Sequence, residues 1–153
     1  GALWAGVRAC ARQESTVKLA AAYMEELFLA GIPPDNATLD EVFTALEGGG
    51  EADRATALLG SLSGGGGGGA SPGIPASRLS PAYNCTARAL ARSPEGGGLG
   101  AALGLLKEMA SKEQLDVYYA TYNVLAARCE EEGLAEKAEA VLQLRYATYH
   151  SSD

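Results

Sequence analysis

The sequence predicts an all-α fold: a helical-hairpin repeat solenoid, a right-handed superhelix of about four two-helix units. Three observations lead there. Apolar residues recur three and four apart along most of the chain, and no run alternates with the period of a strand. Clusters of glycine and proline cut this pattern into short helices. Equivalent alanines recur, with Ala20 and Ala55 35 apart and Ala102 and Ala138 36 apart, and the interval of 47 between Ala55 and Ala102 lengthened by the polyglycine stretch. Such a period marks stacked hairpins, each burying an apolar face on its neighbour.

The elements follow in order. Leu3, Val7 and Cys10 share one helical face, and Leu19, Tyr23, Leu27 and Ala30 share the next. Gly31 suits a helix C-terminus because it takes positive φ freely. Pro33 and Pro34 bar continuation. Asp35 or Asn36 can then cap a third helix, and Thr38 with Glu41 forms an alternative capping box one step later. That helix carries Leu39, Val42, Phe43 and Leu46, and glycines 48–50 end it. Leu58, Leu59 and Leu62 mark a fourth, followed by a flexible Gly-rich loop at 63–77. Leu90 lies in a fifth, which Ser93, Pro94 and glycines 96–98 break; Leu103, Leu105, Leu106 and Met109 belong to a sixth. Val124, Leu125 and Cys129 mark a seventh, closed at Gly133, and Ala138, Val141, Leu142 and Leu144 an eighth. Residues 1–153 thus read as one array with units near 1–35, 36–70, 80–117 and 119–153.

With 153 residues the chain fits one continuous core. A net charge of −7 argues against a stand-alone, non-specific nucleic-acid binder, which would carry a basic surface. Cys10, Cys85 and Cys129 lack metal or disulfide spacing and fit free thiols in a reducing compartment. No apolar run approaches the ~20 residues of a membrane span. The chain opens inside a helical pattern, as a segment of a longer chain would.

The stretch TYNVLAARCEEEGLAEKAEAVL at 121–142 resembles a pentatricopeptide repeat. The steps AYN at 82–84, LLKEM at 105–109 and EELFLAGIPPD at 25–35 supply further pieces of that unit, and the likeness covers nearly the whole chain. It implies a protein that binds single-stranded RNA, or structured organellar RNA, in mitochondria or chloroplasts, with the mitochondrion slightly favoured. Modular repeats of this kind read about one base per unit. The resemblance puts Ala5, Asp40, Asn84 and Asn123 at the base-facing positions. It makes Asp35 the closing residue of the first unit, and Val117 or Tyr118 that of the third. Asn can read a base edge through its donor and acceptor groups, whereas Ala5 cannot and Asp40 would repel phosphate. Asn84 and Asn123 read equally well as capping or solvated residues.

The resemblance also places a basic residue late in the first helix, a position Arg92 matches. Arg8 with Arg12, and Arg88 with Arg92, form i,i+4 ridges, and Arg128 lies on a comparable helix. The first helices of units one, three and four supply these five of the twelve Lys and Arg residues; phosphate contact there would make binding salt-dependent. Four units would read too few bases for unique targeting. The chain is therefore expected to be a subunit or fragment of a larger ribonucleoprotein assembly, touching RNA and other protein subunits. The alternative is a protein-binding scaffold that never touches RNA.

No enzymatic role, cofactor or metal is expected. GGGLGAALG at 96–104 lacks the preceding strand of a nucleotide-binding loop. His150, the sole histidine, has no Cys or Asp partner at metal spacing. NAT at 36–38 and NCT at 84–86 are sequons by pattern alone. Glu130–Glu132 with Glu136 and Glu139 form an acidic face that could dock a basic partner.

Overall fold

The computed structural model describes residues 2–64, 73–94 and 97–150, excluding the side chains of residues 2 and 150. These form α1 (Ala2–Ala11), α2 (Val17–Leu29), α3 (Asn36–Gly48), α4 (Ala52–Leu62), α5 (Ser80–Arg92), α6 (Gly98–Ala110), α7 (Tyr119–Glu131) and α8 (Ala135–His150), with no strand among the described residues. Each helix packs on its neighbour in the chain. In addition α1 touches α3, α3 touches α5 and α5 touches α7, so the odd-numbered helices form one continuous row.

Three turns close in the same way. Gly31, Gly50 and Gly133 all take positive φ, at 92°, 70° and 75°. In each, the N–H of the next residue reaches back five positions: Ile32 to the Leu27 carbonyl, Glu51 to Leu46 and Leu134 to Cys129, at 2.8–2.9 Å. Glycine makes the left-handed step cheap, and the back-bond satisfies an orphan carbonyl. At the start of α3, Asp35 Oδ1 accepts the Thr38 N–H at 2.8 Å, which settles the cap in favour of Asp35. Asp35→Ala is expected to cost about 1 kcal/mol in chemical denaturation, the usual worth of such a cap. Gly98 has a different reason to be glycine: a Cβ there would lie 2.6 Å from the Leu90 carbonyl oxygen, where α6 starts against α5.

The core phase differs from the sequence reading in the first hairpin. Trp4, Val7 and Ala11 face inward from α1, and Val17, Ala20, Ala21, Met24 and Phe28 from α2. Leu3 and Tyr23 are 57% and 43% exposed. The buried stripe lies one position on from the expected one: Trp4, Ala20, Met24 and Phe28 in place of Leu3, Leu19, Tyr23 and Leu27. The second unit follows its predicted stripes: Leu39, Val42, Phe43 and Leu46 are buried, as are Leu58, Leu59 and Leu62, whereas Leu144 of the expected eighth stripe is exposed. The centre of the predicted Gly-rich loop, 65–72, lies outside the described residues. Its far end is packed: Ile74 is buried and its N–H bonds the Leu62 carbonyl at 2.7 Å. Arg78 holds the same segment to the first joint, bonding Asn36 Oδ1 and the Pro34 carbonyl at 2.9 Å each. No helix among the described residues is long and apolar enough to cross a membrane.

Candidate interaction surface

The row of odd-numbered helices carries all five arginines that the sequence offers for phosphate. Each has a partner within the chain. Just past the end of α1, Arg12 Nε meets Glu41 Oε1 of α3 at 2.9 Å, with Arg8 of α1 at 3.7 Å from the same carboxylate. On α5, Arg88 grips Glu47 of α3 through two parallel bonds of 2.9 and 3.0 Å, and Arg92 adds a third of 2.7 Å. Arg88 Nη1 also donates to Thr121 Oγ1 of α7 at 2.7 Å, so one guanidinium ties three helices together. On α7, Arg128 Nε donates to the Ala91 carbonyl near the end of α5 at 2.7 Å, and its other nitrogens meet Glu131 and Glu132. A phosphate would have to compete with these partners. Arg12 and Arg92 offer most to a ligand, with side chains 67% and 53% exposed.

Glu47 is the buried centre of this row, only 14% exposed. Burial alone would raise its carboxyl pKa, but the Arg88 hydrogen bonds and charge, helped by Cys85 and Arg92, hold it below its usual value. The adjacent Cys85 thiol is pushed up to about 11, chiefly by burial and then by the Glu47 charge. That thiol is therefore protonated and weakly nucleophilic near neutral pH. Cys10, Cys85 and Cys129 are all free.

The two Tyr-Asn steps have separate environments. Asn84 is fully buried. Its Nδ2 donates to the Ser80 and Asp116 carbonyls, and its Oδ1 accepts the Tyr118 N–H, all at 2.8 Å. Ser80 Oγ accepts the Asp116 N–H at 3.0 Å beside it. The structure thus joins Asn84 to the predicted closing position Tyr118 through its backbone. The amide is a tether between α5 and the segment entering α7, and reaching a base would require those bonds to open. Val117, the other closing candidate, is buried. Asp35 is occupied as a cap, and Ala5 and Asp40 lie exposed on α1 and α3.

Asn123 is exposed and has side-chain company that sequence reasoning did not single out. Arg145 of α8 donates to its Oδ1 at 2.5 Å and lies 4.8 Å over the Tyr119 ring centroid. Tyr149 meets Tyr119 edge to face at 5.4 Å, and its hydroxyl donates to the Val117 carbonyl at 3.1 Å. Tyr119 and Tyr149 remain 49% and 46% exposed. Arg145 has no carboxylate partner among the described residues. A signal for this cluster was present: four of the seven tyrosines, at 119, 122, 146 and 149, fall in the last unit.

Compared with known proteins, the sequence matches no family model and no curated protein. Among the described residues, no group of three or more His, Cys, Asp and Glu side chains is placed to hold a metal ion.

Proposed function

We propose that the chain is a right-handed solenoid of four pentatricopeptide-like hairpins. It works as a non-catalytic scaffold subunit of an organellar ribonucleoprotein assembly, the mitochondrion slightly favoured. It holds protein partners along its acidic array and does not run RNA along the odd-numbered helices. The supporting observation is the pairing of Arg8, Arg12, Arg88, Arg92 and Arg128 with Glu41, Glu47, Glu131 and Glu132 in a chain of net charge −7. Cations already held by carboxylates release few counterions and steer phosphate weakly.

Cross-linking within the native assembly tests this. Protein–protein links are expected on α1 and α3, with no ultraviolet-induced RNA links on α1, α3 or α5. RNA links at Arg12 or Arg92 would overturn it. A second reading, direct contact with single-stranded RNA, is favoured at one place: Asn123 is exposed beside an arginine that no carboxylate holds.

A further inference from the structure

We propose that the groove between α6 and α8 binds an acidic amphipathic helix of a partner protein. This goes beyond the scaffold reading, which sets partners on the acidic array of α1 and α3. Among the even-numbered helices α2 packs directly on α4, but between α6 and α8 a mostly apolar groove of about 460 Å³ opens. α6 lines it with Gly100, Leu103, Gly104 and Lys107. Steps of three and four put these residues on one face of the helix. α8 forms the other wall with Lys137, Ala140 and Leu144, spaced the same way. Leu103 is half-buried and Leu144 is 37% exposed, so apolar surface is left open on both walls.

Charge names the occupant. No carboxylate lines this groove, and neither Lys107 nor Lys137 has an ion pair among the described residues. In a chain with 19 acidic and 12 basic residues, the groove is a place where an acidic partner is not repelled. Lys137 also borders Gly97 and Leu99 at the start of α6, where the nearby Glu132 is already paired with Arg128. Lys107 lies about two turns further along α6, so the two cations bracket the apolar floor some ~10 Å apart. Gly100 and Gly104 let a second backbone come close. Each weakens the interior of α6 relative to alanine, and nothing lies within 4 Å of where its Cβ would stand. Packing within the chain therefore does not call for them, in contrast to Gly98. The matching ligand is a helix with carboxylates about two turns apart and apolar side chains between them. A polyanion without apolar groups would leave Leu103 and Leu144 in water.

The test is fluorescence anisotropy of the full chain with a labelled, hydrocarbon-stapled, alanine-based helix. The probe carries two glutamates about two turns apart with two leucines between them on the same face; a twin has lysines in place of the glutamates. The glutamate helix is expected to bind, and the lysine helix to bind about tenfold more weakly. The double variant Lys107→Glu, Lys137→Glu should reverse that order, which no loss of fold can imitate. Gly104→Leu fills the groove and should weaken the glutamate helix about tenfold without lowering Tm, since no neighbour in the chain is displaced. Arg54→Glu on α4 should bind like wild type. Failure of the glutamate helix to bind, or equal binding by the two helices, would overturn the proposal. So would concentration-dependent dimerisation that Gly104→Leu abolishes, which would give the groove to a second copy of the chain. The scaffold reading is judged apart, by the cross-links on α1 and α3.

Discussion

Glu47→Ala is expected to destabilise the fold by about 2–3 kcal/mol, because it strands Arg88 in a nearly buried position. Breaking a fully buried pair costs about 3–5 kcal/mol; the smaller figure reflects partial exposure and the Thr121 hydroxyl that Arg88 retains. Arg88→Ala should cost a similar amount, since Arg92 alone then faces the carboxylate. Replacing both residues with leucine should cost much less than the two single losses together, which a double-mutant cycle by chemical denaturation would show. The pH dependence has a definite sign. The folded carboxyl pKa lies below its usual value, so the stabilisation is full above the ordinary carboxylate range. It is lost as pH falls through the folded value. Glu47→Gln should flatten this acid limb.

Asn84→Asp is expected to cost about 3–4 kcal/mol at neutral pH, more than the roughly 2–3 kcal/mol of Asn84→Ala. Alanine leaves the Ser80 and Asp116 carbonyls and the Tyr118 N–H without their partner. Aspartate still accepts from Tyr118, but it loses both amide donors and sets a buried negative charge against two carbonyl oxygens. Its carboxyl pKa would rise, so this variant should recover stability as pH is lowered, opposite in sense to Glu47. Hydrogen exchange at the Tyr118 amide gives a local readout: protection should fall in Asn84→Ala first at that residue and at Asp116, whose N–H rests on Ser80 Oγ.

Helix positions and joints were legible because they depend on local chemistry. Gly31, the two prolines and Asp35 each act within a turn of chain, and they close α2 and open α3 as that chemistry requires. The phase of the first hairpin was not legible because large apolar residues stand on both sides of the stripe: Leu19 and Tyr23 are exposed while Trp4, Met24 and Phe28 face inward. The pairing of the arginines was only half visible. Basic first helices in units one and three are plain in the sequence, and the acidic α3 lies between them. What the sequence cannot show is that Glu47 meets Arg88 and Arg92 across 41 and 45 residues. Asn84 and Asn123 share a motif and differ only in what surrounds them. The segment entering α7 covers the first, and no described residue covers the second as that segment covers Asn84.

The salt dependence of single-stranded RNA binding tests the central claim most directly. For single strands the logarithm of affinity falls with the logarithm of salt by about 0.7 per phosphate neutralised. With the five arginines of the odd-numbered helices held by carboxylates and backbone, and Arg145 the one cation beside the exposed Asn123, the slope should be about −0.7 or shallower. A slope near −3.5 would mean about five phosphates are engaged. The arginine row would then be an RNA track, and its role in binding the helices to one another would be secondary.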